Sequence, residues 1–391
     1  MKNAKIYLGE SPILLSLKPD KVGGLLAAAL VASLLALPFV GLQPNRLFPG
    51  EALSLLNSAG ITGLWPLLLL PLCLTNRALP LRLLLTTAAL PLLLYTAGHT
   101  ATALLENAGP LARVSLGAGF WLALFWLCLL ITDTALRLKL GPLSRLALVT
   151  VLTGAVIALL AAGRCDDLSL LKEFHNRSDF WRQGLRHLQL ALGSMVPAVL
   201  AGIPLGVACH RSPGLRAALF PVLNILQTVP SLAMFGLLMV PLSLLATAYP
   251  WLGELGIRGI GAAPAVIALF LYSLLPIVSN TALGFDRVDA SIREAATAMG
   301  MSRRQRLWQV EFPLAMPVIL SGLRVVVTLN IGLVAVAALV GGGGYGTYIF
   351  QGLGQTATDL VILGALPTLL LAFLAAMLID TLIALQQGTR E

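Results

Sequence analysis

The sequence predicts an all-α polytopic membrane protein with about ten transmembrane helices. Hydrophobic residues make up 58% of the 391 residues and charged residues only 11%, and the mean hydropathy is +0.89. A soluble domain carries about 25% charged residues, so this composition does not fit a water-soluble surface. The same composition excludes a disordered chain, a secreted disulfide scaffold and a cytosolic nucleic-acid binder.

Ten apolar runs approach the length of about 20 residues that a spanning helix needs. The second and third are short and closely spaced. The seventh contains Pro221, Pro230 and Pro241 and is predicted to kink or break, because proline removes a backbone donor. In chain order the runs cover 22–42, 60–75, 81–98, 117–136, 143–162, 188–209, 217–247, 260–284, 315–340 and 361–386.

The first run is predicted to be an uncleaved span and not a signal peptide. The 21 residues before it are long for the charged leader of a signal peptide, and the chain stays apolar after it. The distribution of basic residues then predicts both termini in the cytoplasm. With alternating spans, 17 of the 26 Lys and Arg residues fall in inner segments and 8 in outer ones, while Arg324 lies inside a span. An excess of basic residues marks the cytoplasmic side, which also explains the net charge of +9 without a nucleic-acid partner.

The 17 carboxylates are all predicted to lie in loops or near the ends of spans. A charged residue at a helix centre costs about 3 kcal/mol on insertion scales and is retained mainly for ion or proton pathways. We therefore expect no proton coupling; sodium coupling is less strongly excluded, because backbone carbonyls can bind sodium. The four Cys and four His residues are scattered, so we expect no disulfide framework, no metal site and no catalytic residues.

A polar segment at 163–187 divides the chain in two. Residues 1–162 form an N-terminal block of about five transmembrane helices, and 188–391 form a block whose runs contain Gly, Pro, Ser, Asn and Thr. The apolar residues of 163–187 recur with helical spacing, which predicts an external amphipathic linker helix on the outer membrane face. The alternative is a docking surface for an external partner. We take the second block as the working unit.

The most highly charged long loop, residues 286–313, is predicted to form two short helices at about 292–299 and 303–312, closed by Pro313. Gly300 stands where a glycine lets a helix end in the left-handed conformation. Two residue pairs have the spacing of a capping box, Ser291 with Glu294 and Ser302 with Gln305. Two helices joined by a tight turn also describe a DNA-binding helix-turn-helix, but this loop is tethered between two spans and has no third helix.

The residues of this loop resemble the EAA loop of ABC-importer permeases, and we refer to residues 286–313 as the EAA loop. Glu294-Ala295-Ala296, three residues, Gly300, nine residues and then Val310-x-Phe312-Pro313 match the pattern EAA, three residues, G, nine residues, I-x-L-P, with Val for Ile and Phe for Leu. In that family the loop docks on a cytoplasmic ATPase. The resemblance implies an ATPase-coupling role for Glu294, Ala295, Ala296, Gly300, Arg303, Arg304, Val310, Phe312 and Pro313. Glu294 either caps its own helix or meets basic groups on the ATPase.

Longer phrases at 187–206, 224–236 and 268–284 resemble permeases of osmoprotectant uptake systems, which carry glycine betaine, choline, carnitine and related quaternary amines. The resemblance covers roughly 187–386 and implies that the C-terminal half is a type I ABC-importer permease core. The leading block resembles that of the longer permease in a subset of such systems.

The resemblance also implies a location and partners. The chain is expected in the cell inner (cytoplasmic) membrane, surrounded by lipid. Its expected partners are two cytoplasmic ABC ATPase subunits, a second permease subunit, identical or different, and a periplasmic or external substrate-binding protein. The chain itself is expected to be non-catalytic and to bind no cofactor, with ATP and Mg bound by the partner ATPase.

Neutral polar residues inside the core spans are candidates for a translocation pathway, and such groups suit a zwitterion or a cation. The candidates are Asn224, Gln227, Thr228, Pro230, Ser279, Asn280, Thr328 and Asn330. The alternative role for each polar side chain is interhelical hydrogen bonding. Pro230 is expected to open its helix and expose carbonyl groups to the pathway.

Glycines 341, 343 and 346 fit the GxGxxG pattern, but they follow a span and not a strand. They are predicted to form a flexible or re-entrant turn at the outer mouth, or a plain loop.

The sequence therefore favours a permease subunit of an ATP-driven importer for an osmoprotectant such as glycine betaine. One alternative is an ABC permease for another small polar solute, an amino acid or a quaternary amine. A second alternative is a secondary transporter or channel that needs no ATPase. A membrane-embedded enzyme is not expected, because the sequence shows no His/Asp/Glu constellation.

Overall fold

The computed structural model describes residues 20–46, 48, 50–74, 78–174 and 177–388, which divide into two compact units. Unit 1 comprises Met1–Gly141 and Leu148–Ser169, and unit 2 comprises Pro142–Ala147 and Leu170–Glu391. The division at Ser169 falls inside the predicted linker. Both chain termini, with Lys2, Lys5, Lys18 and Arg390, lie outside the described residues, as do Arg77 and His175.

Unit 1 combines long helices with a small sheet, and the first residues of its last long helix, Pro142–Ala147, belong to unit 2. The elements are α1 (Lys21–Ala36), β1 (Pro38–Gln43), β2 (Glu51–Ser54), α2 (Leu55–Ala59), a 3-10 helix (Gly60–Leu68), α3 (Leu69–Cys73), α4 (Leu79–Leu105), β3 (Arg113–Leu116), α5 (Ala118–Arg137) and α6 (Pro142–Ala161). Helix α5 packs against α1 and α4. The second predicted run, 60–75, is a composite of 3-10 and α-helical turns. No residue of α6 is buried.

The first predicted run, 22–42, is wrong in its second part. Helix α1 ends at Ala36, and Leu37 is extended with φ −112° and ψ 155°. Pro38 explains this end, because a proline disfavours the helical conformation of the residue before it. The chain then enters an antiparallel sheet of order β2-β1-β3, in which Val40 lies opposite Leu53 and Leu116.

Four charged side chains join the adjacent ends of α1, α4 and α5. The fully buried Arg82 lies 2.6 Å from Asp20 and 2.8 Å from Asp133, and Arg137 lies 3.0 Å from Asp20 and 2.9 Å from Asp133. Burial by itself raises the pKa of Asp20, but the Gly23 N–H and the two guanidinium groups outweigh it and lower that pKa. The cluster is electroneutral, so these charges are compensated where they leave water.

Unit 2 is built from helices. After α7 (Ser169–Lys172) come α8 (Arg177–Arg211), α9 (Pro213–Thr228), α10 (Ser231–Ala248), α11 (Pro250–Glu254), α12 (Ala262–Asp286), α13 (Ala290–Ala298), α14 (Arg303–Arg306), a π turn (Leu307–Glu311), α15 (Phe312–Ala337), a 3-10 turn (Ala338–Val340), α16 (Gly346–Gly354) and α17 (Thr358–Gly388).

Within the described part of 163–187 the predicted linker is not one separate helix, since it holds the short α7 and the start of α8. Residues from Arg177 onward are continuous with the first core helix, because α8 runs without a break to Arg211. The polar residues from Ser178 to Arg186 belong to the first turns of α8, whose 35 residues make it longer than a hydrocarbon core of about 30 Å.

The predicted break in the run 217–247 is confirmed. Helix α9 ends at Thr228, Val229 is extended with ψ 127°, and α10 begins after Pro230. Pro221 and Pro241 lie within continuous helices.

Helix α12 lies at the centre of unit 2, between α8 and α15. Glycines permit the close approach of these helices. A Cβ on Gly206 would lie 2.5 Å from Thr281 Cβ, and a Cβ on Gly322 would lie 2.5 Å from Asn280 Cβ. Small residues at such crossings let membrane helices pack through their backbones.

Nine helical segments within the described residues are long and apolar enough to cross a membrane, and α1 adds a shorter apolar helix of 16 residues. The all-α polytopic class is confirmed, with the small sheet as an addition.

The expectation that every carboxylate lies in a loop or near the end of a span is wrong for Asp380. It lies inside α17 and pairs with Arg324 of α15, with 2.6 Å between Nη1 and Oδ1. Both side chains are about half exposed on unit 2. Each charge compensates the other, which explains how both are retained within spanning helices.

Replacing Arg82 tests the ionic cluster of unit 1. Arg82→Ala leaves Asp20 buried without its main partner and should lower the free energy of unfolding by about 3–5 kcal/mol. Arg82→Lys should lose less, because one ammonium keeps the charge but lacks the fork that contacts both carboxylates. The measurement is the thermal unfolding midpoint in detergent. The control is Arg145→Ala, because Arg145 is exposed on α6. Equal midpoints for Arg82→Ala and the control would contradict this account of the cluster.

Candidate functional site

The EAA loop joins the end of α12 to the start of α15, and its first helix begins at a different cap from the one predicted. The side chain of Asp289 accepts a hydrogen bond of 3.1 Å from the Ser291 N–H, so Asp289 is the N-cap of α13. The predicted capping box of Ser291 and Glu294 is therefore wrong, because the helix begins before Ser291. Glu294 is exposed on α13.

The turn after α13 confirms the predicted role of Gly300, whose φ is +77°. The Met301 N–H donates to the Ala296 carbonyl at 3.2 Å, and the Gly300 N–H donates to the Thr297 carbonyl at 3.0 Å. This pair of bonds is a Schellman motif, which satisfies carbonyls at the end of a helix.

The second predicted capping box is confirmed. Ser302 Oγ accepts from the Gln305 N–H, and Gln305 Oε1 accepts from the Ser302 N–H at 2.9 Å. The helix that starts here does not stop at Pro313. It passes through the π turn into α15, with the Phe312 N–H donating to the Leu307 carbonyl. Pro313 is the second residue of α15 and directly follows the π turn, and the chain is helical on both sides of it.

The residues implied by the EAA resemblance divide between the surface and the interior of the loop. Ala295, Arg303 and Arg304 are exposed like Glu294, Ala296 is buried, and Val310, Phe312 and Pro313 are partly buried. Three apolar side chains that the sequence reasoning did not single out are also exposed: Ile292 at 40%, Met299 at 82% and Trp308 at 57%. Large apolar residues in a charged loop are a usable signal, since exposed apolar surface marks contact sites.

The base of the loop is fixed to neighbouring helix ends. Asp286 at the end of α12 lies 2.6 Å from His210 Nδ1 at the end of α8 and 2.8 Å from Arg216 of α9. These contacts place the loop at the end of unit 2 where α8 ends and α9 begins.

Asn330 links three helices. Its fully buried side chain donates to Ser194 Oγ of α8 at 3.1 Å and to Ser273 Oγ of α12 at 3.0 Å. This geometry matches the interhelical alternative that the sequence left open.

Other pathway candidates bond to the backbone. Ser279 and Asn280 donate to the Pro276 carbonyl, and Thr328 donates to the Arg324 carbonyl.

The candidates around the α9–α10 break are more accessible. Asn224, Thr228 and Pro230 are exposed, whereas Gln227 donates to the Tyr272 carbonyl at 2.9 Å. The Val229 carbonyl at the break accepts from Tyr272 Oη at 2.6 Å. The break therefore exists, but this carbonyl is already paired.

The glycine turn at the opposite end of unit 2 is held by α8. Gln183 Oε1 accepts from the Gly344 N–H at 2.8 Å, and Arg186 Nε donates to the Gly342 carbonyl at 3.0 Å. The fully buried His187 lies 2.9 Å from the Ile331 carbonyl through Nε2 and accepts the Tyr345 N–H through Nδ1. These bonds assign the ring the Nε2–H tautomer. The turn is thus braced and not a loosely attached loop.

Two family descriptions match the chain. Residues 20–171 match "ABC transporter permease YehY, N-terminal domain", and residues 198–387 match "Binding-protein-dependent transport system inner membrane component". The bundle and its projecting loop therefore define a membrane permease of a transport system. The chain belongs to the family of binding-protein-dependent transport system inner membrane components.

Two relatives with similar sequences agree with this assignment. Over 197 residues the chain is 40% identical to the osmoprotectant import permease protein OsmW of Salmonella typhimurium, covering 50% of this chain and 86% of that protein. Over 191 residues it is 38% identical to the glycine betaine/carnitine/choline transport system permease protein OpuCD of Bacillus subtilis, covering 49% of this chain and 76% of that protein. A chain of the MetNI methionine ABC transporter aligns with a TM-score of 0.47 and 19% identity over 54% of this chain and 97% of that chain.

The conformation of Gly300 can be tested without any partner. A Cβ at this position meets no atom within 4 Å, so a substitution acts through the backbone alone. Gly300→Val should favour opening of the turn by about 1–2 kcal/mol, because a side chain is strained at positive φ. Tryptic cleavage after Arg303 and Arg304 should then be about tenfold faster. Gly300→Asn is the control, since asparagine tolerates this region. Equal cleavage of Gly300→Val and the parent would contradict the assigned turn.

Proposed function

We propose that this chain is the non-catalytic membrane subunit of an ATP-driven importer and forms the translocation pathway for an osmoprotectant such as glycine betaine. The observation that carries the proposal is the EAA loop. Its two short helices are capped where they meet at the Gly300 turn, and the loop exposes both apolar and charged side chains. The substrate class is supported by the similarity to an osmoprotectant import permease and to a glycine betaine/carnitine/choline transport system permease. An importer of another small polar solute is the nearest alternative.

The outer surface of the EAA loop is the proposed ATPase contact. Exposed Ile292, Met299 and Trp308 supply apolar area, and Glu294, Arg303 and Arg304 supply charge. Interfaces combine an apolar centre with a polar rim, and this set of side chains meets both needs. Because Asp289 caps α13, Glu294 is free of the capping role, which favours a contact of Glu294 with basic groups on the ATPase.

The proposed complex contains two cytoplasmic ATPase subunits, which bind ATP and Mg, and a second permease subunit, either another copy of this chain or a related one. An external binding protein delivers the solute. In this complex the ATPases close on ATP and shift the EAA loops, and the pathway then opens outward.

The solute pathway is proposed to run past the α9–α10 break. Asn224, Thr228 and Pro230 are exposed there, and their neutral groups suit a zwitterion. Asn330 is assigned to helix packing, because its hydrogen bonds lie within the bundle.

Uptake by the reconstituted complex tests this function. Proteoliposomes that hold the permease, its ATPase and the binding protein should accumulate glycine betaine only with ATP inside, and an uncoupler should leave uptake unchanged. Glu294→Ala should reduce uptake only modestly, because it removes one exposed contact, while insertion stays normal. Uptake that persists without ATP and stops with an uncoupler would instead support a secondary transporter. Transport of an amino acid in place of glycine betaine would overturn the substrate assignment alone.

The proposed orientation places both termini and the EAA loop in the cytoplasm. Reporter fusions after Gly109 and Gly163 should then be active outside, and fusions after Gly141 and Gly388 should be active inside, because the helices between them alternate. Paired alkaline phosphatase and fluorescent protein fusions measure this directly. An inside signal after Gly163 would reverse α8 and place the EAA loop on the wrong face for an ATPase.

A further inference from the structure

Arg306 connects two parts of the EAA loop that are separated by the turn at Gly300. Its Nη1 donates to Thr297 Oγ1 at 2.8 Å, and its Nε donates to Glu311 Oε1 at 2.8 Å. Thr297 belongs to α13, whereas Glu311 ends the π turn that leads into α15. One guanidinium group therefore joins the helix of the EAA motif to the base of a spanning helix.

The two attachment points differ in burial. The Glu311 side chain is only 8% exposed, and Arg306 is 27% exposed. A nearly buried carboxylate is costly without a partner, so the ion pair fixes Arg306 firmly to the base of α15. Thr297 is exposed, and its hydroxyl also donates to the Arg293 carbonyl at 2.8 Å, which orients it as an acceptor for Arg306.

The chain between these attachment points is held by the hydrogen bonds of the Schellman motif and the capping box, which act within a few residues. Gly300 is exposed, and a Cβ there meets no atom within 4 Å. The π turn that follows has a wider hydrogen-bond ladder than an α-helix, and such turns are frequent at functional sites. A side-chain brace across both features lets α13 and α15 move together.

We propose that Arg306 is the positioning residue that transmits displacement of α13 to α15, with Thr297 and Glu311 as its two attachment points. This inference rests on the proposed function, in which α13 contacts the ATPase. Arginine suits the role because its planar group donates in two directions at once, whereas a lysine ammonium acts as a compact point charge.

From α15 the displacement reaches the rest of the bundle through Asn330. This residue bonds to α8 and α12 through Ser194 and Ser273. The path from α13 to the three packed helices thus consists of the Arg306 contacts, the continuous helix α15 and the hydrogen bonds of Asn330.

The test compares transport with ATP hydrolysis in the complete reconstituted complex. The variants are Arg306→Gln, Arg306→Lys, Thr297→Val and the exchanged pair Arg306→Glu with Glu311→Arg. Arg211→Gln is the matched control, because Arg211 is an exposed arginine in the last position of α8. Three quantities are measured for each: ATPase co-purification, the rate of ATP hydrolysis, and glycine betaine imported per ATP hydrolysed.

We expect Arg306→Gln to lower the solute imported per ATP by about tenfold, while co-purification and hydrolysis stay within about twofold of the parent. Coupling between two sites in a protein typically changes the response by about 5–150-fold, so a tenfold loss lies within that range. Arg306→Lys and Thr297→Val should give intermediate losses, because each keeps one of the two attachments. The exchanged pair should recover part of the loss, and the control should match the parent. A merely structural residue would lower assembly and hydrolysis together with transport.

Three results would overturn the inference. An unchanged ratio for Arg306→Gln would show that the brace transmits nothing. Loss of co-purification would make Arg306 a docking residue. If the exchanged pair imports as little glycine betaine per ATP as Arg306→Gln, then the ion pair between positions 306 and 311 does not transmit the displacement. If the parent complex itself shows no ATP-dependent uptake, the proposed function fails, and this inference fails with it.

Discussion

Close backbone contact between α12 and its two neighbours is the constraint on which unit 2 depends. In hydrocarbon the hydrophobic effect does not drive helices together, so packing and interhelical hydrogen bonds must do so. Gly206 and Gly322 let α8 and α15 approach α12 closely, and Asn330 adds polar contacts among all three helices. This packing fixes where α12 ends and α15 begins, and therefore where the EAA loop leaves the bundle.

The EAA loop combines local and distant supports. Asp289, the Schellman turn at Gly300 and the capping box of Ser302 satisfy helix ends within a few residues of sequence. The contacts of Asp286 with α8 and α9 then fix the loop to the bundle. Local caps give the loop its shape, and the ion pairs at its base give it a direction. Both suit the coupling role that is proposed for the EAA loop.

Local chemistry predicted much of this fold. The apolar runs located the spans, Pro230 located the break between α9 and α10, and Gly300 located the turn. Errors arose where one residue changed the outcome or where partners were distant in sequence. Pro38 converted the end of a run into a strand, and an ion pair with Arg324 allowed Asp380 to lie within a spanning helix. The contacts of Arg306 depend on how the loop folds back, and no spacing rule encodes them.

The brace between α8 and the glycine turn has a mechanical consequence. Gln183, Arg186 and His187 tie α8 to the glycine turn, and His187 also reaches the carbonyl of Ile331 in α15. Elements joined at so many points rotate as one rigid body. The hinge of unit 2 then lies at the break between α9 and α10, where Pro230 interrupts the helical hydrogen bonds. The end of unit 2 that carries residues 341–346 therefore behaves as a solid rim, and bending is confined to the break between α9 and α10.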